Sequence, residues 1–566
     1  MAGENAILAR LFFCSASMKE MRPKTAWLPT LFFGILAANI VSLSLMEFFE
    51  GATWLLSVVF PVVFAIAVWQ FRFAGVPFPD LSRRTHGYVA AIVAALAFPR
   101  IAYFLEPLLG YSTDAACWDD WWHIQEFSSI IYSPHFPPES TLQHGSYFSF
   151  YFAPWMLGAS LFQLLHLGTV KQAIFLTGLI YNFAFVYAAV YAAKLAFPQE
   201  PRRSKILLGT ILLYGGFDVF YGVFKLLQGA AVGALHAETW AYFVGFKVEY
   251  ASTITLFLWV PHHLVAALAV LLGYYCLKAC PSWRGAIAAG VCFGFAGFSS
   301  VFATIGAIPI VGYLVLRNRV SLKYAAVAGL LSFLLGLPIF WMYLGRNSEG
   351  FILFGALAKG WESHKVIAFG GFLLLLVAEF FPLLLASVLS LRDRAFDRGL
   401  FLVVLAFLLS NYFLAFAGAN NFAMRGAIVP AFALYYLAVP GLERILDWRQ
   451  RKALSWLRYG LIVFFLGGLW EYVNFTAFAM QSTGKVSKLR EETLTSNLAH
   501  GQPPSAELMA KADRTQYGWY ALENRKSVDK PALNPGDVEL INRDNQYRIT
   551  FKRLLEIVKH PLRASS

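Results

Sequence analysis

The chain of 566 residues is 58% hydrophobic and only 14% charged, with a mean hydropathy of +0.57, which excludes an ordinary soluble enzyme and fits a polytopic membrane protein. Its net charge of +13 would suit nucleic acid in a soluble chain, but here the lysines and arginines fall in short connections between apolar runs, where they set topology. Cys14, Cys117, Cys276, Cys280 and Cys292 are too few and too scattered for a disulfide framework, and Cys276 with Cys280 lacks metal-ligand spacing.

Residues 1–25, carrying Arg10, Lys19, Arg22 and Lys24, read as a cytoplasmic flank, not a cleaved signal peptide. A span needs about 20 apolar residues, and cytoplasmic loops collect Lys and Arg. On that basis Trp27–Met46 crosses outward and Ala52–Phe71 returns, giving two N-terminal helices within residues 26–86. Gly87–Pro107 exits again and opens a core that runs to residue 476. It delivers an external loop, residues 108–172, whose stretch from Asp114 to Tyr151 has acids, aromatics and histidine but no lysine or arginine. Counting both Tyr151–Leu167 and Ala173–Phe197 as spans would strand Arg202, Arg203 and Lys205 outside. The shorter run, interrupted by Pro154, is therefore predicted to lie at the outer interface.

Lys205–Phe220 then exits, residues 223–252 form a second external connection, and Ile254–Leu277 returns. Gly285–Leu316 is too long for one span and basic at both flanks, which predicts two short helices turning near Ser299 and Ser300. Leu322–Leu344 exits to a third external loop, Val366–Leu391 returns, Leu400–Ala417 exits, Ala427–Leu442 returns and Tyr459–Phe475 exits. The predicted fold is all-α, with about 13 transmembrane helices and residues 477–566 as an external tail or small domain.

Chemistry concentrates in the first external loop. Asp119, Asp120, His123 and Glu126 fall in one short stretch, and if it is helical Asp119, His123 and Glu126 share a face. Such a cluster supplies a general base or holds a cation, and carboxylates among Trp118, Trp121 and Trp122 at a lipid edge gain proton affinity by desolvation. The structural alternative is a solvated interfacial helix with tryptophans at headgroup depth. Asp114, at the start of the same stretch, joins the candidate substrate-binding set. His262 and His263 follow a proline in the outer half of a span, and Asp218 lies in the outer half of another; all three are candidate substrate contacts or satisfied core groups. Arg425 is a candidate phosphate clamp or a snorkelling cation. Arg346, Lys359 and His364 in the third loop can neutralise an anion. Arg100 and Glu379 are embedded charges that hold helices together or line a cavity. There is no P-loop, GxSxG or HExxH; Gly290 and Gly294 read as a helix-packing motif.

DDWWH at residues 119–123, FPP at 136–138 and YFSFYFAPWMLGASLFQLLHLG, following an outward span, resemble the GT-C superfamily of polyprenol-dependent integral membrane glycosyltransferases. The resemblance covers roughly Gly87 to Arg458 and implies an inverting transfer from a polyprenyl-phosphate-linked sugar donor to a glycan, lipid or protein acceptor at the external face of a plasma membrane, such as a bacterial inner membrane. It implies Asp119, then Asp120, as general base, with His123 beside them, and Arg425 and the histidines at the departing phosphate. Members act with or without a divalent metal such as Mg or Mn, and the Asp/His/Glu cluster allows either. The alternatives are a transporter or lipid-linked glycan flippase, and third a structural membrane subunit.

Overall fold

The computed structural model describes residues 27–49, 53–72, 78–109, 153–167, 169–230, 249–345, 366–412, 421–447 and 455–482, together with residues 123, 126, 127, 130, 131, 136 and 138. Every regular element among them is helical. In chain order these are α1 (Trp27–Phe48), α2 (Leu56–Arg72), α3 (Arg83–Ala97) continuing through a 3-10 turn into α4 (Ile101–Leu109), α5 (Met156–Leu164), α6 (Val170–Ala196), α7 (Pro201–Leu213), α8 (Asp218–Leu227) and α9 (Thr253–Trp259). There follow α10 (Pro261–Ala279), α11 (Trp283–Ser299), α12 (Val301–Arg317), α13 (Leu322–Gly345), α14 (Val366–Leu389), α15 (Arg398–Ser410), α16 (Asn421–Gly426), α17 (Ile428–Leu446) and α18 (Ser455–Ser482).

Among the described residues eight helices are long and apolar enough to cross a membrane, and up to nine if the bent pair α7–α8 is one span. A helix stands at the place of every predicted span. However, α2, α11, α12 and α15 are shorter, at 17, 17, 17 and 13 residues. The last helix also runs on to Ser482, past the predicted boundary at 476. The tail beyond it and residues 1–25 lie outside the described residues.

Proline and glycine explain where the structure divides runs that read as continuous. Val260 leaves helical geometry at φ −136° and ψ 61°, and Pro261 begins α10, so the predicted span Ile254–Leu277 is two helices. Gly215 and Gly216 separate α7 from α8, which bend by 43°. Gly216 has φ +68°, and a Cβ there would lie 2.0 Å from Glu379 Oε2, so only glycine fits. The predicted turn near Ser299 and Ser300 is present: Ser300 is extended, and its hydroxyl caps α12 through Ala303 N–H at 3.3 Å. The two helices it joins share α10 as a neighbour but otherwise diverge, α11 packing also on α13 and α12 on α16 and α17.

The segment predicted to lie at the outer interface is short, as expected, but it is not a surface helix. A 3-10 turn, Ala153–Trp155, leads into α5, and most of both is buried against α1, α2 and α6. Its 3 plus 9 residues reach about 18 Å at 1.5 Å per residue, too little to cross. Asn39 of α1 anchors it by accepting from Leu157 N–H at 2.9 Å, while the Tyr181 hydroxyl of α6 donates to Pro154 O. α17 and α10 are the most enclosed spans, with 89% and 78% of their most apolar stretch buried, so they form the centre of the bundle.

Embedded polar groups hold helices together. Glu379 accepts from Phe217 N–H at 3.3 Å, its carbonyl accepts from the Tyr214 hydroxyl, and Arg100 lies 5.5 Å over the Phe475 ring. Gly290 of the predicted packing motif does bring α11 close to α13, since a Cβ there would lie 2.8 Å from Ala328 O; Gly294 makes only ordinary contact. At one end of the bundle Arg203 bonds Glu443 at 2.7 Å, Asp393 at 3.0 Å and Glu200 at 3.0 Å, tying α7 to α17 and to the connection after α14. Replacing Arg203 by Met removes three charge-assisted bonds and leaves Asp393 and Glu443 half-buried beside each other. Thermal unfolding of the detergent-solubilised protein should then show a loss of about 2–3 kcal/mol, and an unchanged midpoint would show that the network contributes nothing.

Candidate functional site

His123, Glu126, Phe127, Ile130 and Ile131 are helical and buried. Their spacing of i, i+3, i+4, i+7 and i+8 is one face of an amphipathic helix. The first loop therefore sends a helical face into the bundle. Its seat is made by α5: a Cβ on Gly158 would lie 1.9 Å from Phe127 Cε1, so the missing side chain is the space the phenyl ring occupies. Phe127 also meets Trp155, ring centroids 5.0 Å apart.

The break at Pro261 provides the polar anchor. In an unbroken helix the Trp259 carbonyl would accept from His263 N–H; instead that N–H goes to Val260 O at 3.0 Å. The released carbonyl accepts from His123 Nε2 at 3.1 Å, and His123 Nδ1 lies 2.9 Å from Glu126 Oε2. Because a carbonyl can only accept, Nε2 carries a hydrogen. The contact between Nδ1 and the carboxyl then contains one shared proton, either imidazolium with carboxylate or imidazole with carboxylic acid. Both forms are neutral as a pair, which lowers the cost of burying Glu126 completely.

Around this anchor the aromatic rings form a cluster. His123 lies 4.9 Å from Trp155 and 5.7 Å from His262, Trp155 lies 5.0 Å from His262, and His262 lies 4.0 Å from His263, all by ring centroids. Both histidines of the pair are buried in the first turn of α10. The charge of Arg425 acts on both of them. Arg425 is half-buried on α16, and its buried Nε has no hydrogen-bond partner among the described residues. Its placement depends on another missing side chain, since a Cβ on Gly306 of α12 would lie 2.0 Å from Gly426 O.

The structure thus brings together His123, Glu126, His262, His263 and Arg425 from three distant parts of the sequence. Asp218 belongs to a second polar cluster. It is fully buried at the start of α8 and, with Glu379, acts electrostatically on Tyr214. Tyr214, Tyr250, Glu379 and Met424 line a cavity of about 20 Å³, room for about one water. Tyr250 accepts from Asn411 Nδ2 at 3.3 Å. Since Met424 and Arg425 are adjacent on α16, that helix touches both clusters. Asp114, Asp119, Asp120, Arg346, Lys359 and His364 lie outside the described residues.

Two features could not be reached from residue type alone. Trp155 sits in the middle of the histidine cluster yet reads in sequence as one more interfacial tryptophan, and the Trp259 contribution is a backbone oxygen. Pro261 was the available signal for the latter, because a proline inside an apolar run frees a carbonyl upstream. Among the described residues no three His, Cys, Asp or Glu side chains gather as a metal site would need. His123 in particular has both ring nitrogens engaged by Glu126 and Trp259. No protein-family model, curated protein or solved structure matches the chain.

Glu126→Gln keeps a partner for His123 Nδ1 through the amide, whereas Glu126→Leu leaves that nitrogen unsatisfied in a buried site. Thermal unfolding should show Gln close to wild type and Leu less stable by about 1–3 kcal/mol; equal stability of all three would refute the anchoring role.

Proposed function

We propose that the protein is a membrane glycosyltransferase that moves a sugar from a polyprenyl-phosphate carrier to an acceptor hydroxyl at the external membrane face, with inversion at the anomeric carbon. The observation that carries this reading is the docking of the acidic loop, through His123 and Glu126, against a buried histidine pair within the field of Arg425. A displacement of this kind needs a carboxylate to take a proton and a cation to receive charge on the departing phosphate. The loop and α16 offer one of each.

Asp119 and Asp120 stand four and three residues ahead of His123, and Asp119 is the preferred base. It removes the acceptor hydroxyl proton; the oxygen bonds to the anomeric carbon from the side opposite the carrier. The bond from that carbon to the phosphate oxygen breaks, and its electron pair leaves with polyprenyl phosphate. Arg425 stabilises the phosphate as its charge develops, with His262 and His263 at its side, and Arg346, Lys359 and His364 add positive potential from the third loop. Asp114 remains a candidate substrate contact on the acidic loop. His123 and Glu126 act as positioning residues, because in this geometry His123 has no ring nitrogen left to accept a proton. Among the described residues no group of side chains forms a site for Mg or Mn.

One observation favours a transporter or lipid-linked glycan flippase instead. Two buried carboxylates, Asp218 and Glu379, both act on Tyr214 at the bent pair α7–α8, and broken helices with buried charge also build substrate and ion paths. The readings separate on Asp119→Asn and Asp120→Asn. In a cell-surface glycan assay at normal expression, one of the two should lower product formation by roughly 10²–10⁴-fold. Intact product from both variants would exclude the catalytic reading.

A further inference from the structure

α10 carries the histidine site at its start, and its other end borders a different feature. Leu268 to Tyr275 of α10, Trp27 to Ile35 of α1 and Ile180 to Leu195 of α6 line a half-open groove enclosing about 360 Å³. From His262 to Tyr275 is about 20 Å along α10 at 1.5 Å per residue, so the far end of the groove is well separated from the histidine cluster. Its α6 wall runs about 22 Å, more than the roughly 15 Å half-thickness of a hydrocarbon core. That length suits a single lipid chain, and the volume lies within the range of roughly 300–1,000 Å³ seen for ligand pockets.

The groove is lined almost wholly by apolar atoms, and Tyr187 and Tyr191 in its α6 wall connect it to polar groups outside it. Tyr187 bonds His86 Nδ1 through its hydroxyl at 2.9 Å, and Asp80 acts on Tyr191. Lys194, three residues past Tyr191 and so on the same side of α6, donates to Asp80 O at 3.1 Å. Arg83 shares the His86 face of α3 at i, i+3 and is exposed, as is Arg84. Lys194 at Asp80, with the exposed Arg83 and Arg84 a few residues further along the chain, gives an excess of positive charge flanking the tyrosine-bearing wall of the groove. That arrangement complements a lipid whose chain enters the groove and whose phosphate remains at the membrane surface, with each basic residue near an anionic leaflet contributing attraction.

We infer that this groove is a binding site for one acyl chain of an anionic glycerophospholipid, its headgroup held at Arg83 and Lys194. The site is independent of the glycosyltransferase reading, because it uses none of that site's residues. The full chain would be reconstituted in nanodiscs of equal phosphatidylglycerol and phosphatidylethanolamine, extracted into mild detergent, and its retained lipid identified by native mass spectrometry. The expected result is one phosphatidylglycerol per chain, preferred at least fivefold over phosphatidylethanolamine. Ala188→Trp, which fills the groove, should lower retention at least fivefold, and the double variant Arg83→Gln, Lys194→Gln should abolish the headgroup preference. As a control on wild-type protein alone, phosphatidylglycerol bearing a photoreactive chain should label the α6 peptide around Ile180 to Leu195. Retention of no phospholipid, equal retention of the two headgroups by wild type, a polyprenyl lipid as the bound mass, or labelling confined to other helices would overturn the inference.

Discussion

The arrangement of the candidate site depends on a broken helix. Pro261 cannot donate a backbone hydrogen bond, the chain leaves helical geometry at Val260, and the Trp259 carbonyl is released inside an apolar bundle. A released carbonyl in such a place needs a donor. His123 supplies it from a loop segment 136 residues away. Donation through Nε2 then fixes the ring and turns Nδ1 toward Glu126, which makes the carboxyl and imidazole one neutral, proton-sharing unit. The same break places His262 and His263 in the first turn of the next helix, where they complete the aromatic cluster around Trp155.

Absent side chains supply the close fits around this anchor. Gly158 leaves room for Phe127, so the loop helix can descend onto α5, and Gly306 lets the end of α16, the helix that carries Arg425, approach α12. Substituting either glycine would therefore move a group that is remote in sequence. α10 links two ends of the molecule, with the histidine pair at one and a lipid-sized groove at the other.

Much of the secondary structure follows from hydropathy and charge. Among the described residues every predicted span is helical, although two are broken at Pro261 and at Gly215 and Gly216, and the long run through Ser299 and Ser300 divides where its length and flanks required. The helical spacing of His123 and Glu126 was legible too, but the sequence pointed to the face they share with Asp119, whereas the buried face is the one they form with Phe127, Ile130 and Ile131. Packing was not accessible in the same way. The run containing Pro154 is too short to span, which the charge count showed, but its burial against α1 and α6 rests on Asn39 and Tyr181, contacts separated from it by more than a hundred residues and by 27 residues respectively. Likewise YGGFD announced a break between α7 and α8 only to a reader looking for consecutive glycines, and the carboxylate that fills the space above Gly216 comes from Glu379, in another span. Asp218 and Arg425 looked equivalent in sequence, each a charge in the outer part of a span. The structure assigns Asp218 to the tyrosine-lined cluster and Arg425 to the histidines.

The central claim is that Arg425, half-buried on α16 and within electrostatic reach of the histidine pair, receives the phosphate of a lipid carrier. Affinity for a short-chain polyprenyl phosphate, measured by calorimetry on wild-type protein and on the Arg425→Gln variant in the same detergent, tests it most directly. Removing a charge-assisted bond of about 1.5–3 kcal/mol should weaken binding by roughly 10- to 100-fold while the unfolding midpoint stays near that of wild type. Equal affinity in the two proteins would contradict the account.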